Sequence, residues 1–84
     1  MGPRELEREA IDVIVVFARG TIRPLRFRWQ TRSYAVKTVH LVHERREGRE
    51  CLRFFSVTDV MGNPFRLVFL PLKGSWFIEQ VPLL

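Results

Sequence analysis

Apolar and polar positions alternate along most of this chain with a period of two, the pattern of strands that bury one face. In residues 11–18 (IDVIVVFA), Ile11, Val13, Val15 and Phe17 fall on one face, and Asp12, Ile14, Val16 and Ala18 on the other. The second face is apolar too over most of its length, so this strand is expected between layers or in an interface. Arg19-Gly20 reads as a turn, since glycine readily supplies positive φ. In residues 21–29, Arg23, Leu25, Phe27 and Trp29 share one side and Ile22, Pro24, Arg26 and Arg28 the other. From Leu25 onward the pattern is apolar inward, arginine outward. Pro24 has no N–H to give to a ladder, so this strand lies at an edge or starts pairing only after it.

Residues 30–33 (QTRS) read as the hairpin loop leading to a third strand over residues 34–43. Here the phase changes. Tyr34 and Val36 share one face, Val39, Leu41 and His43 the other, and a bulge near Lys37-Thr38 would restore register. Residues 44–50 (ERREGRE) sum to zero charge and form an exposed tip. Three further strands follow over residues 51–59, 64–72 and 76–81, with turns at 60–63 and 73–75. Residues 1–10 are a charged arm or short helical turn, leaving 11–84 as one small domain. Short strands at this spacing predict an all-β fold, an antiparallel barrel or roll of five to six strands.

Composition adds a direction. The chain has 84 residues, 46% of them hydrophobic, and a net charge of +5. That apolar share argues against disorder. A lone Cys51 allows no internal disulfide. The first ten residues are charged, and no apolar run reaches the roughly 18 residues of a spanning helix. The expectation is therefore a cytoplasmic protein without a membrane span. Arg outnumbers Lys twelve to two, and guanidinium groups suit phosphates and stack on rings. No acidic residue occurs from residue 13 to residue 43, while Arg23, Arg26, Arg28, Arg32 and Lys37 are interleaved with aromatics. Such a ribbon fits a DNA or RNA backbone, with Tyr34 or Trp29 as a stacking platform. Tyr34 and Trp76, near strand ends, are the aromatics expected to be most exposed.

Catalytic groups are sparse. His40 and His43, three apart on a regular strand, fall on opposite faces and cannot share a metal. His43 and Cys51 flank the 44–50 tip and could face each other, but two ligands do not make a zinc site. Asp12 and Asp59 are single carboxylates. No catalytic residue, metal or cofactor is implied, and a non-enzymatic binding module is expected. A second surface comes from the two-sided apolar strands: Ile14, Val16, Val68, Leu70 and Phe77 would serve a protein partner or a homodimer.

Pro24, Phe27, Trp29, Arg32, Tyr34, Val36, Phe55, Val57, Gly62, Phe65, Leu67 and Trp76-Phe77 occur in an order that spans residues 24–81. In this the chain resembles a small bacterial β domain family of unknown function. That family occurs alone or as a C-terminal appendage of Y-family DNA polymerase-like (mutasome) proteins. The resemblance implies a small β accessory module near DNA-damage tolerance. The chain departs from that pattern in two places: only ERREGRE stands where a longer insert is expected, and Phe54 or Phe55 where strand four would carry a tyrosine.

Overall fold

The computed structural model describes residues 7–80. Six strands follow one another: β1 (Glu7–Ala18), β2 (Thr21–Trp29), β3 (Arg32–Glu47), β4 (Glu50–Asp59), β5 (Pro64–Leu70) and β6 (Ser75–Gln80). Each pairs antiparallel with the next, and β6 returns to β1 to close a barrel. The arm expected over residues 1–10 is strand from Glu7 on, because Glu7 to Ile11 pair with β6 from Gln80 back to Trp76. The rest of that segment lies outside the described residues. No described helix is long and apolar enough to cross a membrane.

The barrel interior holds Ile11, Phe27, Phe55, Val57, Leu67, Phe69, Trp76 and Ile78, with Val13, Val15, Ile22, Trp29, Tyr34 and Phe65 against them. Rings carry much of this packing. Phe27 stacks on Tyr34 with centroids 5.1 Å apart, and Phe65 meets Phe27 edge-on, also at 5.1 Å. Phe69 stacks on Trp76 at 4.7 Å. In a chain this short, such large side chains supply the buried area that residue number cannot.

A second cluster lies on the outer side of β4, β5 and β6. Leu52, Phe54, Val68 and Leu70 are buried there, with Phe77 against them. His43 stacks on Phe54, and the guanidinium groups of Arg8, Arg45 and Arg66 lie over the same ring. Beside it, Glu79 sits directly across from Arg8 on one side and Arg66 on the other. Its side chain is fully buried, 2.9 Å from Arg8 Nε and 3.3 Å from Arg66 Nε. The expected partner surface is corrected here. Val68 and Leu70 are covered by this cluster and Phe77 is half-buried, so only Ile14 and Val16 of that set are exposed.

Pairing around the barrel is uneven. β1 meets β6 only through residues 7–11 and β2 only through residues 12–18. β2 meets β3 through four pairs, from Trp29 opposite Arg32 to Arg26 opposite Ala35. Pairing with β3 thus begins after Pro24, as the missing N–H requires. Beyond these pairs the outer half of the β1–β2 hairpin is two-stranded, while Val13, Val15 and Ile22 still pack against the core and Pro24 is buried. Three register shifts bend the sheet: one between Val36 and Thr38, as expected, one between Val39 and Leu41, and one where Ile14 and Val15 face Arg26 and Pro24.

The turn from β4 to β5 is built on Asp59, a buried carboxylate. The backbone N–H groups of Met61 and Asn63 donate to its Oδ1 at 3.0 and 2.7 Å, and Asn63 Nδ2 donates to Oδ2 at 3.1 Å. Burial pushes its pKa up, but the hydrogen bonds from Asn63, Met61 and Gly62 outweigh burial and hold it below the ordinary carboxylate value. A lowered pKa stabilises the fold fully above the unfolded value of about 3.9, and that contribution is lost as pH falls through the folded pKa. Thermal unfolding followed from pH 7 downward should show the midpoint falling below about pH 4. In Asp59→Asn the midpoint should be lower at neutral pH and this acid limb shallower.

Candidate nucleic-acid interface

Arginines reach one face of β2 through a backbone irregularity. Strict alternation would put Arg23 on the core side, away from Arg26 and Arg28. Leu25 is instead an extra residue: Pro24 pairs with Val15, and Arg26 with Ile14. Ile22, Phe27 and Trp29 then all pack toward the core, while Arg23, Arg26 and Arg28 all turn outward and are exposed. They lie in cross-strand rows with β1, Arg23 beside Val16, Arg26 beside Ile14 and Arg28 beside Asp12. On the other flank Ser33 lies opposite Arg28, and its Oγ accepts a hydrogen bond from Arg26 at 3.2 Å. A shallow depression of about 320 Å³ on this face is lined by Asp12, Ile14, Arg26, Arg28 and Ser33.

The other expected contact residues are placed differently. Arg32 pairs with Trp29, and Tyr34 with Phe27, so both follow the core-facing side of the hairpin. Tyr34 is half-buried among Phe27, Trp29 and Phe65 and offers no platform beside the arginines. Trp76, also expected near the surface, is buried between Phe55 and Phe69. Lys37 is the extra residue of the first β3 bulge and is exposed at the strand edge facing β2.

The ion pairs among the described residues lie on the β3–β6 side of the barrel, where Arg46 and Arg49 are nonetheless in none. Arg8, Arg45, Arg53, Arg66 and Lys73 each have a carboxylate partner. Among the described residues, none of Arg23, Arg26, Arg28, Arg32 or Lys37 forms an ion pair. Three arginines beside a single carboxylate, Asp12, leave this face net positive, with a field that screening carries no farther than about 10 Å at moderate salt.

Comparison with protein-family models, curated proteins and solved structures finds no match to this chain.

The histidines and the cysteine behave differently from the expectation drawn on regular strands. The second β3 bulge puts His40 on the outer side, its Nε2 hydrogen-bonded to Thr58 Oγ1, while His43 is also outward on Phe54. Cys51 pairs with Arg46, and His43 with Phe54, so the thiol and the imidazole do not face each other. No group of three or more metal-ligating side chains gathers among the described residues.

Proposed function

We propose that this protein is a non-enzymatic nucleic-acid-binding module that holds a phosphate backbone along the outer face of β2. The observation that carries this reading is the row of Arg23, Arg26 and Arg28, exposed on one face and without acidic partners in ion pairs. Successive outward positions on a strand lie about 6.6 Å apart, a spacing at which adjacent guanidinium groups reach successive phosphates of an extended strand. Contacts of this kind give affinity with little sequence preference. An accessory role beside DNA repair, as the family resemblance implies, fits such a module.

Fluorescence anisotropy of labelled single- and double-stranded oligonucleotides at about 50 and about 200 mM salt tests this reading. Binding should weaken steeply with salt. Arg26→Ala/Arg28→Ala should reduce the salt slope for single strands by about 1.4, the value for two lost phosphate contacts. Arg45→Ala, which removes an arginine already paired with Glu47 on the other side, should leave binding unchanged. Equal binding by wild type and the β2 double variant would end the proposal.

A further inference from the structure

The outer half of the β1–β2 hairpin has an edge with no strand partner among the described residues. β1 pairs with β6 only as far as Ile11, so residues 13–18 (VIVVFA) are paired with β2 on one side alone. This segment holds no charge, no proline and no glycine, and β1 itself runs through it without an extra residue. Ile14 is 61% exposed and Phe17 66%. An edge of that kind invites another strand, and monomeric proteins commonly guard such edges with charges, prolines or bulges. The molecule does so elsewhere. The free part of β2 carries Arg23, Pro24 and the Leu25 bulge, and the free edge of β3 carries Lys37 and two bulges. Among the described strands, only β1 is left with a free edge of this kind unguarded.

We propose that the occupant of this edge is a second copy of the chain, pairing β1 to β1 antiparallel about a two-fold axis at Val15. The segment is self-complementary in that register. A two-fold axis normal to the sheet places residues of the same face opposite one another. Ile14 then meets Val16 of the second copy on the outer face, and Val13 meets Phe17 on the inner. All of these contacts are apolar, and no like charges meet along the pair. At each end Asp12 comes opposite the uncharged Ala18 of the second copy. The sheet continues as β2, β1, β1 and β2. The two arginine rows then lie on one outer face, three strand spacings or about 14 Å apart. The inference stands on the edge alone and does not depend on nucleic-acid binding.

Sedimentation equilibrium without nucleic acid, from about 1 to about 100 µM, combined with a charge swap at the two outward positions, tests it. The wild type should be a dimer at the upper end. Ile14→Lys/Val16→Lys and Ile14→Glu/Val16→Glu should each be folded by circular dichroism and monomeric, since like charges would then stand opposite across the axis. Mixing the two should restore a dimer, because each lysine would face a glutamate. A wild type that stays monomeric at about 100 µM, or a folded lysine variant that still dimerises as the wild type does, would overturn the proposal. Should either variant fail to fold, wild-type hydrogen exchange decides. Protection of the edge-facing amides among residues 13–18 that disappears on dilution supports the β1 pairing, and edge-facing amides equally exposed at every concentration refute it.

Discussion

Phe27→Ala should destabilise the protein by about 3–5 kcal/mol, the range for emptying a fully buried aromatic site. Phe27 is buried where the hairpin of β2 and β3 closes one end of the barrel, against Tyr34 and Phe65. Its neighbours cannot collapse easily into the space, because Tyr34 and Phe65 are also held by each other at 5.0 Å and by Trp29. A chain of this length has a total stability of about 4–12 kcal/mol, so the variant should be near the edge of folding. The midpoint of thermal unfolding should drop by more than about 12 °C. A double-mutant cycle with Tyr34→Ala should give a coupling of about 0.5–1.5 kcal/mol from the stacked pair. A loss below about 1 kcal/mol, the ordinary effect of a substitution, would mean that the aromatic cluster is not what closes this end.

Glu79→Ala should cost about 3 kcal/mol, the low end of the range for removing one partner of a buried ion pair. The low end applies because Arg8 and Arg66 are about one-third exposed (30% and 32%) and can turn toward water once the carboxylate is gone. Geometry limits what the carboxylate contributes. Its Oε1 and Arg66 Nε are both buried at 3.3 Å without meeting hydrogen-bond geometry, whereas Arg8 bonds Oε2 well. Glu79→Gln should therefore retain part of the stability through shape and one hydrogen bond. Chemical denaturation of the two variants, compared with Arg66→Ala alone and with the double variant, separates the charge from the packing. If Glu79→Ala is within experimental error of the wild type, the Arg66, Glu79, Arg8 row is not structural.

The strands were legible because their cores are dense in Phe, Val, Ile and Leu, and the turns at Arg19-Gly20, Gly48, Gly62 and Gly74 announce themselves by glycine at positive φ. The tight turn at Gln30-Thr31 did not. Both residues have positive φ (50° and 63°), a conformation for which glycine or asparagine would be the usual sign. A longer loop over residues 30–33 is the natural reading of such a sequence, and it hides that Arg32 already pairs with Trp29. Bulges hid more. A single extra residue at Leu25 decides which face Arg23 takes, and the one near His40 decides the face of that imidazole; neither residue carries a local signal. Alternation alone also could not show that Val68 faces a second, outer cluster. A strand apolar on both faces looks the same whether its second face meets solvent, a partner or a lid of arginines. For the candidate site, the density of basic residues was readable in advance, and the separation into paired and unpaired arginines depended on the fold.

The meander also sets a sequence of events. Five of the six seams join neighbours in the chain, each a hairpin that closes a short loop. The seam between β1 and β6 joins residues 7–11 to residues 76–80, almost the whole described length apart. Loop-closure entropy grows only slowly with length, but here one step carries nearly all of the long-range part. Folding should therefore proceed by local zipping, with the rate set by the docking of β1 onto β6. Substitutions in that short five-residue seam should slow folding, while those in the β3–β4 hairpin tip should leave the rate of closure unaffected.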